Sequence, residues 1–125
     1  MNIYVAHNFS ARSWLPKVVA QIEQLGHRCT STWIFDDAHT KTGSMLASAQ
    51  VDLDDINKSQ CLVLFVDQFG DAPGKGKYFE LGYAIARGLR VILVGEDTSC
   101  VFYHLPYVQR VKDVSELLPL LGRAE

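Results

Sequence analysis

Two carboxylates carry the clearest chemical potential in this 125-residue chain: Glu80, inside DAPGKGKYFELGYAIARG (71–88), and Asp52, inside VDLDDI (51–56). Glu80 follows a Gly/Pro/Lys loop and falls about one turn into an apolar helix, where the positive end of the helix dipole favours the ionised form. Position alone makes it an ordinary helix-start charge. Helix geometry weakens that reading, because Leu81, Ala84 and Ile85 define the buried stripe and Glu80 lies at roughly a right angle to its centre. It is a flank residue, able to look along the edge of a sheet. Against the stripe Leu46, Ala49, Leu53 and Ile56, Asp52 borders the core, whereas Asp54 and Asp55 lie further round and are expected in solvent. Two carboxylates on neighbouring helices suit glycosidic chemistry, one attacking an anomeric carbon and the other handling the leaving group's proton. The helix start is expected to keep Glu80 ionised, as a nucleophile requires, and partial burial to raise the pKa of Asp52, as an acid requires.

Other groups surround this pair in the sequence. In APGKGK (72–77), Gly74 and Gly76 permit close backbone approach, amides ahead of a helix form an anion nest, and Lys75 and Lys77 add point charges. A phosphate or a sugar edge is a reasonable guest, although glycine is common in every turn. The spacing is not a Walker loop, and no GxGxxG opens the first helix. HNFSAR (7–12) supplies Asn8, Phe9, Ser10 and Arg12. Ser10 and Arg12 suit a hydroxyl or a phosphate, and Ser10 equally suits a helix N-cap. Tyr4 reads first as a core tyrosine, and His104, in VFYHLP (101–106), as a solvated or capping loop histidine.

The elements that must position these residues alternate between short apolar runs and helical stretches. IYVA (3–6) reads as a buried strand, and 10–26 as a helix with Pro16 in its first turn and Gly26 as its stop. HRCTSTWI (27–34) reads as a second strand and 35–43 as a polar loop, followed by a helix over 44–58. CLVLFV (61–66) fits a central parallel strand covered on both faces. The loop 67–76, a helix to about residue 87, the strand RVILVG (90–95), a connection with a short edge strand, and the helix DVSELLPLL (113–121) complete the chain. This order predicts a single-domain, doubly wound α/β sandwich of Rossmann/flavodoxin-like type, with a mainly parallel five-stranded sheet and helices on both faces. In such sheets the ligand crevice lies outside the carboxyl ends of the strands, where strand order reverses. The junctions after the first, third and fourth strands are therefore the expected site.

Composition sets the remaining bounds. Twelve basic and fourteen acidic residues are interspersed, with a net charge of −2, which argues against a nucleic-acid footprint or a polybasic membrane patch. Cys29, Cys61 and Cys100 are far apart and odd in number, so neither a disulfide framework nor a zinc site is indicated. MNIYVAHNF reads as a first strand rather than a signal peptide, and no apolar run approaches bilayer length. A reducing, cytoplasmic setting is the expectation.

The blocks NIYVAHNF, DLDDINKSQCLVLFV and GKGKYFELGYAIARGLRVILVG together resemble the nucleoside 2-deoxyribosyltransferase family, whose relatives include (deoxy)nucleoside 5'-monophosphate N-hydrolases. The specific part is an aspartate in D-x-x-x-I before an apolar strand, followed by G-x-x-x-E-L-G-x-A. The resemblance covers most of the chain and implies one such domain over 1–125. It implies that Glu80 is a nucleophile forming a glycosyl-enzyme, that Asp52 manages the proton on the departing base, and that Tyr4 orients Glu80. By placement, Phe9 and Trp33 are candidates to stack on the base. The chain departs from the family at Gln60, where an acidic residue is common, and at Gly74, where Asp or Ser often contacts the sugar or phosphate. Lys75, Lys77 and backbone amides would replace that contact and tilt the substrate towards a 5'-phosphate. The implied partner is a small-molecule nucleoside or nucleotide, with no cofactor, no metal, no nucleic-acid polymer and no membrane. The implied assembly is a homodimer or larger, in which Tyr103 or His104 reaches a neighbour's site. Competing readings are a non-catalytic nucleotide sensor on the same fold, a cytokinin-activating-type phosphoribohydrolase suggested by PGKGKYFE, and a TIR-like module.

Overall fold

The computed structural model of the chain describes residues 1–35, 44–70 and 75–125. Five strands, β1 (Asn2–Ala6), β2 (Arg28–Cys29), β3 (Cys61–Phe65), β4 (Arg90–Val94) and β5 (Gln109–Val111), form one sheet in the order β2-β1-β3-β4-β5. Every neighbouring pair is parallel. This is the flavodoxin-like order, and it reverses between β1 and β3. Helices α1 (Leu15–Gln24) and α4 (Val114–Leu121) pack together on one face, and α2 (Met45–Asn57) and α3 (Lys75–Ala86) on the other. Right-handed crossovers from a parallel sheet place them so.

The centre of the sheet is as apolar as the sequence requires. All five residues of β3 are buried, because α-helices cover both of its faces. Tyr4 stands opposite Leu62, and Leu62 opposite Val91, while Val5, Val63 and Ile92 form the next row. Side chains alternate along a strand, so the Tyr4 row faces α2 and α3 and the Val5 row faces α1 and α4. Among the described residues, no helix is long and apolar enough to cross a membrane.

Three expectations change. The strand expected over 27–34 is only Arg28–Cys29, followed by a 3-10 turn over Thr32–Ile34. Beyond Thr30, side chains replace the ladder: Ser31 Oγ accepts from the Val5 amide, and Asp55 Oδ2 accepts from the Thr32 amide at 3.0 Å. The helix expected from residue 10 begins as a 3-10 turn over Phe9–Ser13 and becomes α1 at Leu15, with Pro16 in its first turn and Gly26 at φ 91° beyond its end. The apolar stripe of α2 is buried only at its C-terminal end. Ile56 is fully buried, but Leu46 is 70 % exposed and Ala49 also faces out. The polar loop expected over 35–43 falls, after Phe35, outside the described residues.

Candidate active site

Tyr4, on the middle of β1, has no exposed surface, and its hydroxyl donates to Glu80 Oε2 on α3, 76 residues away. The alternation of β1 aims the ring at the α2/α3 side, and the half-buried Glu80 meets it from the flank of the Leu81/Ala84 stripe. Asp52, half-buried on α2, is close enough that its negative charge acts on both partners. The structure therefore gathers Tyr4, Asp52 and Glu80 from three separate elements into one group.

The electrostatics reverse an expectation. Glu80 is not held ionised by the helix start, since α3 begins at Lys75 and Glu80 falls in its second turn, beyond the reach of the end dipole. Burial raises its carboxyl to about 8; the hydrogen bond from Tyr4 opposes that rise and the Asp52 charge adds to it. Tyr4 is raised well above its ordinary value by burial first, then by the charges of Glu80 and Asp52. Burial and a neighbouring negative charge both favour the protonated form of a carboxyl.

An aromatic corner forms from residues of two 3-10 turns. Trp33 is buried, and its Nε1 donates to Val5 O at 2.9 Å. The Phe9 ring lies 6.4 Å away, half in solvent, with the Arg12 guanidinium 4.6 Å above it. Arg12 Nε also donates to Ile34 O. Asn8 Nδ2 and Ser10 Oγ both donate to Phe69 O, at 2.9 and 3.0 Å, tying the end of β1 to the loop after β3. Asn8 is 1 % exposed, and its Oδ1 has no hydrogen-bond partner among the described residues. Ser10 is thus a loop tie rather than an N-cap.

Of the lysine loop, Gly74 lies outside the described residues, while Lys75 and Gly76 are exposed in the first turn of α3. Lys77 is buried, 3 % exposed, and its Nζ donates to Phe65 O and Val66 O. His104 is exposed on the connection after β4 and bonds to Thr98 O, a contact local to its own loop. Two features escaped the sequence reading. Asp55 is buried, not solvated, and accepts from both the amide and the hydroxyl of Thr32. Lys77 shares the 77-81-84 spacing of the buried face of α3, a signal visible in the sequence.

A cavity of about 230 Å³ opens at the same strand ends, lined by His7, Trp14, Phe65 and Phe69. Phe65 and Val94 alternate with the row of Leu64 and Leu93 that faces α3, so the cavity is on the α1/α4 side and excludes Glu80. His7 there stacks on Phe65 and is lowered to about 4, mainly by burial and then by the Lys77 charge. Among the described residues, no cluster of three or more His, Cys, Asp or Glu is placed to hold a metal.

Solved structures share this architecture. A 2-deoxyribosyltransferase from Bacillus psychrosaccharolyticus superposes with a TM-score of 0.68 at 19% identity, covering 98% of this chain and 97% of its own. A CMP N-glycosidase, BcmB, from Clostridium botulinum gives 0.67 at 18% identity, over 97% and 98%. A conserved protein from Enterococcus faecalis V583 gives 0.72 at 18% identity, over 97% and 96%. No curated protein matches the chain by sequence. The sequence model described as Nucleoside 2-deoxyribosyltransferase matches residues 3–114, a span that contains Tyr4, Asp52 and Glu80. With nine-tenths of its length matched and the fold shared, the chain belongs to the nucleoside 2-deoxyribosyltransferase family.

Proposed function

We propose that the protein cleaves the N-glycosidic bond of a (2-deoxy)nucleoside or its 5'-monophosphate through a covalent glycosyl ester at Glu80. The observation that carries this reading is the hydrogen bond from Tyr4 to Glu80 with Asp52 beside it. The Glu80 carboxylate attacks the anomeric carbon; the bond to the base nitrogen breaks with its electron pair leaving on the base, and Asp52 delivers the proton the base needs. The task needs Glu80 ionised and Asp52 protonated when the bond breaks. Tyr4 fixes which Glu80 oxygen points towards the sugar. Phe9 and Arg12 form the wall against which a planar base stacks, backed by the buried Trp33, while Asn8 and Ser10 hold that wall's loop in place. Lys75 and Gly76 border the sugar end, and His104 belongs to the rim a neighbouring subunit would meet.

A second base resolves the ester as a transferase and water resolves it as a hydrolase. Incubation with a panel of nucleosides and 5'-monophosphates, with and without an acceptor base, separates the two by chromatography of the released bases. Loss of base release in Glu80→Ala is the expected result; release that persists in that variant removes the mechanism. Assembly as a homodimer or larger is part of the same reading, supported by Leu46 and Phe79, 70 % and 66 % exposed on α2 and α3.

A further inference from the structure

Lys77 occupies a place that an anion-binding lysine does not. It lies on the face of α3 that also buries Leu81 and Ala84, and only 3 % of its surface is exposed. Its Nζ donates to Phe65 O and Val66 O, each at 3.4 Å. These carbonyls close β3 at the edge where strand order reverses, so the lysine fills part of the crevice that doubly wound sheets leave for ligands. Burying an ammonium is costly unless its protons are bonded and its charge is balanced. Here the carbonyls supply the bonds, and Asp97 and Asp67 supply opposing charge. Asp67 is itself fixed, accepting from the amides of Glu96 and Asp97. The same lysine is one helical turn before Glu80, so the link sets where α3 starts relative to β3 and hence where the Glu80 carboxyl meets Tyr4.

We propose that Lys77 is a positioning residue that fixes α3 against the end of β3 and thereby holds Glu80 on Tyr4, and that it does not bind a substrate phosphate. This rests on Glu80 being the nucleophile. Of the two loop lysines, the exposed Lys75 is the one left to meet a 5'-phosphate.

The test compares Lys77→Met, Lys77→Gln and Lys75→Met with the parent on whichever nucleosides and 5'-monophosphates the parent turns over. A misplacement of about 1 Å at a reacting group costs on the order of 10²-fold, so Lys77→Met is expected to lower kcat about 10- to 100-fold with KM within about twofold. Lys77→Gln, which keeps a donor, is expected to fall between it and the parent. A rise in KM confined to 5'-monophosphates, or unchanged kinetics, overturns the proposal. The carbon-13 resonance of the Glu80 carboxyl, followed without substrate, is expected to move in Lys77→Gln and to stay put in Lys75→Met. If the parent turns over no nucleoside or nucleotide, the functional reading fails. The resonance still decides the role of Lys77, since an unmoved Glu80 signal in a folded Lys77 variant overturns it. Should Lys77→Met not fold, Lys77→Gln carries both measurements.

Discussion

As the proposed nucleophile, Glu80 combines two demands that pull in opposite directions. A nucleophile must lose its proton, yet burial raises this carboxyl to about 8. The free enzyme's kcat/KM is therefore expected to rise with pH along a limb centred near 8, read by a pH–rate profile. The Tyr4 hydrogen bond lowers the pKa of Glu80. Tyr4→Phe should move the limb to higher pH and reduce the rate below it about 10- to 100-fold. The same shift enters stability. The folded pKa lies above the unfolded value of about 4.3, so between roughly pH 4 and 8 the native state binds the extra proton and stability falls as pH rises. Glu80→Gln removes the charge that must be buried. Its melting temperature should match the parent's near pH 4 and exceed it by a few degrees, roughly 2–8 °C, near pH 9. A parent that melts later than Glu80→Gln at pH 9 would contradict the burial assigned to Glu80.

The elements around the site depend on side chains that periodicity places poorly. A wheel drawn on α2 assumes one buried stripe, and it puts Asp55 in solvent. In the folded chain, the C-terminal half of α2 also packs on the 3-10 turn over Thr32–Ile34, and Asp55 caps that turn with bonds of 3.0 and 2.7 Å. Trp33 is the middle residue of the turn, so Asp55 holds the aromatic wall from behind. Asp55→Ala leaves the Thr32 amide and hydroxyl without that acceptor and should cost about 1–3 kcal/mol, measured by urea unfolding. Trp33 emission should shift to the red in the folded variant, because the turn no longer holds the indole against Val5. Lys77 shows the same limit on α3. Its place in the buried stripe was legible, but the carbonyls that accept its protons lie on another element.

Seen as a molecule, the chain leaves apolar surface on the side where α2 and α3 meet solvent. Met45 is 90 % exposed, Leu46 70 % and Phe79 66 %, on the two helices that carry Asp52 and Glu80. We read these exposed apolar side chains as a candidate assembly surface. Leu46→Glu is expected to shift the sedimenting species to the monomer without lowering its melting temperature by more than a few degrees. An unchanged sedimentation profile would count against assembly through this surface. By itself the sequence determined the order of strands and helices, the parallel sheet and the two carboxylates, because alternation and helical spacing are local patterns that burial imposes on adjacent residues. Tertiary structure decided that burial raises the Glu80 carboxyl, that Tyr4 is its partner, that Asp55 and Lys77 turn inward, and that half of the α2 stripe faces out. Those outcomes depend on desolvation and on hydrogen bonds between residues as many as 76 positions apart, and only the register of the sheet brings such residues together.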